Sequence, residues 1–155
     1  DNDYATILRF AIRSALIDAV KIEGSLDEDD IDDIAGQAVD LGSVPIIVIR
    51  ADQGAKADEL VQKMESRWDL EAKTFELAVP VQTKEDIQAL EDAAKAFHEA
   101  HHDATVIPHP IGKIAKEAML QGQTFGAPLL YTTDGEETET LPTSTAIHKL
   151  LHPEE

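Results

Sequence analysis

Cysteine is missing altogether from the 155 residues of this chain. Its absence excludes a thiol nucleophile, an iron–sulfur cluster, a cysteine-ligated zinc and any structural disulfide. It agrees with a reducing, cytoplasmic setting, although exported domains also dispense with cysteine. Long apolar runs are missing too. Between Ile7 and Val20 the chain is mostly apolar, but Arg9, Arg13 and Asp18 interrupt it, well short of the roughly 20 residues that a membrane span requires. The chain starts at Asp1 rather than Met, as it would after removal of a tag or a signal peptide.

Positive charge is scarce. Lys and Arg number 13 against 31 for Asp and Glu, a formal net charge of −18. Such a field repels phosphate backbones and anionic membranes, so neither nucleic acid nor membrane is an expected partner. It favours solubility, and a protein partner if that partner is basic.

The familiar catalytic signatures are also lacking. Gly112-Lys113 has the look of a P-loop end, but no glycine stands five residues before Gly112, and Ile114 replaces the required Ser or Thr. No Gly-x-Gly-x-x-Gly follows a predicted strand, and no Gly-x-Ser-x-Gly elbow occurs. Nucleotide hydrolysis, dinucleotide redox chemistry and the α/β-hydrolase mechanism therefore find no support.

What is present is ordinary globular composition, 43% hydrophobic and 28% charged. One domain over 1–155 is expected, long enough to bury about two-thirds of its unfolded surface. Tyr4, Leu8, Ala11, Ile12, Ala15 and Ala19 recur at helical spacing, which predicts a helix over 4–21. Its apolar arc is wide enough to touch two neighbours, one of them a second subunit in a homo-oligomer. Ser25-Leu26-Asp27-Glu28 reads as a capping box opening a second helix, with Ile31, Ile34, Ala35, Ala38 and Leu41 as its buried stripe. The acidic run from Asp27 to Asp33 lacks the glycine and spaced glutamate of a calcium loop and instead complements the helix dipole. These two helices form an N-terminal pair over 1–42.

From residue 43 onward a β-α repeating core is expected. Val44 to Ile49 is a short continuous apolar run of the kind covered on both faces. Thr74 to Val79 alternates, Ala104 to Pro108 makes a third strand and Leu129 to Thr132 a fourth. Asp134-Gly135 signals a hairpin into Glu137–Leu141. Helices follow each of the first three strands; Thr83 caps the longest, Pro110 suits a helical first turn, Trp68 reads as core and Ser144 caps a last short helix. The fold class is α/β: a three-layer sandwich with a mostly parallel sheet of about four strands, an antiparallel edge hairpin, and the N-terminal helical pair in front.

In open parallel sheets, ligands bind beyond the carboxyl ends of the strands. The residues arriving there are Arg50, Asp52 and Gln53, then Thr83, then His109 with Lys113, then Thr133. His109, expected at a helix N-cap, combines free amides that hold an anion with a ring that moves protons near neutral pH. A buried Phe125 is expected to anchor the Gly122–Gly126 loop. His98-Glu99-Ala100-His101-His102 matches the zinc-hydrolase pattern, with His98 and His102 as metal ligands and Glu99 polarising water. The alternative is cationic histidines resting on the last carbonyls of a helix.

Three functions follow. The leading one is a non-catalytic domain binding a small anionic ligand or a protein partner, since catalytic signatures are missing. The second is an enzyme on a small anionic substrate, with His109 as acid or base and Arg50 or Lys113 as the anion clamp. The third is a zinc-dependent hydrolase using His98, Glu99 and His102.

Overall fold

The computed structural model describes Thr6, Ile7 and residues 18–153. Strands and helices alternate along it as β1 (Ala19–Glu23), α1 (Glu28–Asp40), β2 (Val44–Arg50), α2 (Ala57–Glu65), β3 (Thr74–Pro80), α3 (Lys84–Ala100), β4 (Thr105–Ile111), α4 (Lys113–Leu120) and α5 (Ser144–Leu151). The sheet runs β1-β2-β3-β4 and every pairing is parallel. Each crossover therefore advances one strand in the same direction. With right-handed connections, that winding puts the crossover helices on one face of the sheet. This is the β/α succession that an eight-stranded barrel repeats.

The core bears this out. Val20 and Ile22 of β1, Ile47 and Ile49 of β2, Phe75, Leu77 and Val79 of β3, and Val106 of β4 all point to the helix side. There they join the buried stripes of the helices, among them Ile31, Ile34, Leu60, Met64, Leu90 and Phe97, in one continuous cluster. Trp68 packs edge-on to Phe97 at 5.5 Å, and Phe75 meets Phe97 at 5.3 Å, so the aromatics concentrate where α2 and α3 meet β3. The three-layer arrangement is thus corrected: the helix cluster covers one face, and the other carries a different set of side chains.

Two further expectations are corrected. Residues 19–21 are strand, not the end of a helix, because Val20 and Ile22 pair into the sheet beside Pro45 and Ile47. The rest of the expected first helix lies outside the described residues, apart from Thr6 and Ile7, which are helical. The second helix exists, but as the crossover between β1 and β2, so no N-terminal helical pair stands apart from the sheet. Its N-cap is Asp27, which accepts from the Asp29 amide at 3.0 Å, in place of Ser25.

The edge hairpin is also absent from the described residues. The segment after Pro128 makes only an isolated parallel bridge, Thr133 with Thr143. Pro128 and Pro142 each remove a ladder donor, and Glu136, Glu137 and Glu139 set like charges along the would-be strand. Gly135 instead donates to the Thr133 hydroxyl at 3.2 Å in a local turn. Thr143, one residue before the expected Ser144, caps α5 through the Ala146 amide.

Candidate active site

Strand residues alternate between faces, so the partners of the helix-side positions define the second face. Its rows read, towards the carboxyl ends, Lys21-Ile46-Thr74-Thr105, then Glu23-Val48-Glu76-Ile107, then Arg50-Ala78-His109. Ionisable groups that would be ruinous in the helix-side core are gathered here, in the half of the sheet where β/α folds place their chemistry.

Glu76 is the centre of the group. Its side chain is only 2% exposed, and its Oε1 accepts from the Lys21 ammonium at 2.7 Å. Lys21 also sits 3.9 Å above the centre of the Tyr131 ring. Tyr131 in turn stacks on His109, with centroids 4.1 Å apart and planes 29° from parallel. The His109 Nδ1 approaches Glu76 Oε1 at 3.5 Å, a charge contact rather than a directed hydrogen bond, and this buried nitrogen has no hydrogen-bond partner among the described residues. Carboxylate, ammonium, imidazole and phenol thus share one small volume.

Their environments push the two acids apart. Burial works to raise the Glu76 carboxyl, but the contacts from His109, Lys21 and Tyr131 outweigh it and hold the pKa down at about 2. Burial, reinforced by the neighbouring Glu76 carboxylate, pushes the Tyr131 phenol well above its ordinary value. Glu76 is therefore a fixed negative charge and Tyr131 a fixed donor.

Arg50 ends β2 one row above, where its fork closes on Glu23, Nε to Oε2 at 2.9 Å and one terminal nitrogen to Oε1 at 2.8 Å. Arg50 and His109 lie in the same row two strands apart, about 10 Å from backbone to backbone. The turn that carries the chain away from His109 depends on Gly112. At φ +154°, a Cβ there would lie 2.5 Å from the Val81 carbonyl oxygen.

His109 lies within β4, not at a helix N-cap; Gly112 takes that place, and Pro110 also stays in the strand. Lys113 opens α4 at the exposed rim beside it. Asp52 and Gln53 are exposed in the loop after β2, and Gln53 reaches Asp86. Thr83 is committed to the α3 capping box, accepting from the Asp86 amide at 3.1 Å. Thr133 bridges to Thr143 in the segment that carries Tyr131.

The histidine string is dispersed. Helix α3 ends at Ala100, so His102 lies beyond it, and the rings of His98 and His102 are 6.1 Å apart. His98 Nδ1 faces the Ala104 carbonyl oxygen at 2.9 Å, and His101 rests on Trp68 and beside Glu65. Among the described residues no three His, Asp or Glu side chains gather as a metal site would need.

Lys21, Glu76 and Tyr131 were not singled out as site residues. The first two left a trace: Lys21 and Glu23 alternate with Val20 and Ile22, and Glu76 is a lone acid in an apolar strand. Tyr131 left none, because an irregular segment brings it onto the sheet.

The winding and the polar cluster define a β/α-type domain with an enzyme-like site on the face away from its helices. The sequence model of type I 3-dehydroquinase matches residues 1–154, and the chain belongs to that family. The 3-dehydroquinate dehydratase of Salmonella paratyphi B is 28% identical over 128 residues, which covers 81% of this chain and 50% of that protein. The Salmonella heidelberg enzyme of the same name matches equally. The chain therefore spans about half the length of the curated relatives it matches. The type I 3-dehydroquinate dehydratase of Clostridium difficile, solved with covalently modified comenic acid, superposes with a TM-score of 0.84 at 19% identity, over 98% of this chain and 61% of that one. The 3-dehydroquinate dehydratase of Geobacillus kaustophilus gives 0.83 at 17% identity, over 99% and 60%. Membership in a family named for an enzyme overturns the expectation of a non-catalytic accessory domain.

Proposed function

We propose that the chain takes part in dehydrating 3-dehydroquinate at the polar face of its sheet, with His109 as the proton-transfer group. The carrying observation is the buried, unpartnered Nδ1 of His109 set against a fixed carboxylate and an ammonium. Loss of water from a β-hydroxy ketone needs a base for the proton next to the carbonyl, positive charge for the oxygen that gains electrons, and a proton for the departing hydroxyl. In this reading His109 takes the carbon-bound proton and returns it to the hydroxyl, which leaves as water. Glu76 balances the imidazolium while the proton is held. The Lys21 ammonium and the Tyr131 hydroxyl face the developing negative oxygen. Arg50, one row above, and Lys113 at the rim offer positive charge to the substrate carboxylate in a chain that is otherwise strongly acidic. Asp52, Gln53 and Thr133 border the same rim.

The test is conversion of 3-dehydroquinate by the purified chain, followed by the rising absorbance of the conjugated enone. Turnover is expected, with kcat/KM falling about 100-fold or more in His109→Ala while the circular dichroism spectrum stays unchanged. A folded chain that leaves the substrate untouched at stoichiometric concentration overturns the reading.

A further inference from the structure

A second collection of positive charge extends beyond the polar face from its Arg50 corner. A cleft of about 320 Å³ opens where the end of β1, the end of β2 and the last turn of α2 approach one another, lined by Glu23, Gly24, Ser25, Arg50, Lys63, Ser66 and Arg67 among others. In a chain with 13 basic against 31 acidic residues, this cleft gathers three bases against Glu23 on its wall and Glu28 beside it, so acids no longer outnumber bases here.

Two of the bases are braced. Arg67 donates from Nε to the Gly24 carbonyl at 3.0 Å and from one terminal nitrogen to Glu28 at 2.7 Å, with its side chain 20% exposed. The Arg50 fork is closed on Glu23. The floor is tight: Gly24 donates to the Val48 carbonyl at 2.9 Å, and a Cβ on it would come within 2.8 Å of that oxygen. Lys63 is exposed, and among the described residues no carboxylate pairs with it. The Ser25 hydroxyl stands at the same opening.

We propose that this cleft binds the phosphate group of a small phosphorylated metabolite or free phosphate. The fork of Arg50 is held by Glu23, so in this cleft Arg50 contributes charge and not a bidentate clamp. The donors that remain are the Lys63 ammonium, the second terminal nitrogen of Arg67 and the Ser25 hydroxyl. Lys63 belongs to α2, Arg67 to the turn that follows it and Ser25 to the loop after β1, so donors stand on two sides of the opening, an arrangement a tetrahedral oxyanion can engage. Anion repulsion by the rest of the molecule favours ligands small enough to stay close to the Lys63 ammonium. The cleft shares Arg50 with the rim of the dehydratase reading, but Lys63, Arg67 and Ser25, the donors named here, have no part in that reading.

The experiment is calorimetric titration of the whole chain with inorganic phosphate, with glycerol phosphate and with citrate, each against chloride at equal ionic strength. Saturable binding of at least one phosphate compound is expected, unchanged in Lys95→Glu and weakened tenfold or more in Lys63→Glu. Tighter binding of glycerol phosphate than of inorganic phosphate identifies a metabolite site, and the reverse a free-anion site. No saturation above chloride, equal binding by Lys63→Glu and Lys95→Glu, or saturation by citrate alone overturns the assignment. Ser25→Ala, with little consequence for folding, serves as a second variant and is expected to weaken phosphate binding several-fold.

Discussion

The two faces of the sheet are built from the same four strands and obey opposite rules. On the helix side, positions 20, 22, 47, 49, 75, 77, 79 and 106 are all apolar and join one cluster. On the other side, Lys21, Glu23, Arg50, Glu76 and His109 stand among Ile46, Val48, Ala78 and Ile107, which are also buried. A charge on the first face would have no partner and would disrupt the fold. A charge on the second face meets another charge one or two strands away, so the buried Glu76 persists there beside Lys21 and Arg50, which keep contact with solvent. The helix-side face holds the molecule together and leaves its neighbour chemically diverse.

The contrast is sharpest at adjacent residues of β3, Phe75 and Glu76. Phe75 is fully buried against Phe97 and Trp68. Phe75→Ala is expected to cost about 3–5 kcal/mol of unfolding free energy by urea denaturation. A cost below 1 kcal/mol would break the comparison, since the helix side would then not be the load on which folding depends.

Glu76→Gln is expected to cost less and to show its effect through pH. The folded-state pKa of Glu76 is lowered from 4.5 to about 2. A depressed carboxyl contributes stability that is present above its unfolded pKa and is lost as pH falls through the folded one. Wild type should exceed Glu76→Gln by about 2 kcal/mol near pH 6, allowing for the screening of half-exposed Lys21, and the gap should close between about pH 4.5 and pH 2. Denaturation curves at pH 6 and pH 3 read this directly; a gap that does not change with pH would show that Glu76 is not held ionised by its neighbours.

Thr83 tests the rim, where neither rule applies. Thr83→Ala removes the side-chain acceptor of the α3 capping box and should cost about 1 kcal/mol, and under the proposed function it should leave conversion of 3-dehydroquinate unchanged. Loss of activity at normal stability would move Thr83 from helix capping into the site.

Much of the chain order was readable beforehand because short apolar runs and capping residues are local signals. Val44 to Ile49, Thr74 to Val79 and Ala104 to Pro108 were recognisable as strands, and Thr83 as a cap. Failures came where local and long-range signals conflicted. Val20 and Ile22 merged with the apolar run before them and read as the end of a helix, although Lys21 and Glu23 between them carry a strand alternation. His109 and Pro110 read as the start of a helix, because proline suits a first turn. Yet β4 continues to Ile111, and the turn waits for Gly112. The Asp134-Gly135 pair is a strong hairpin signal, but the prolines and the glutamates around it leave no second strand to pair.

By itself, then, the sequence determined the alternation of strands and helices, the exclusion of thiol and nucleotide-loop chemistry, and the acidic surface. All of these depend on residue type and spacing over a few turns. The tertiary structure decided that the strands lie in the order β1-β2-β3-β4, that the helix-side core lies on one face, and that Lys21, Glu76, His109 and Tyr131 meet. Lys21 and Tyr131 are separated by most of the chain, and only the parallel register, together with an irregular return segment, sets one above the other. Contact between distant residues is a property of the packed sheet, and no local period encodes it.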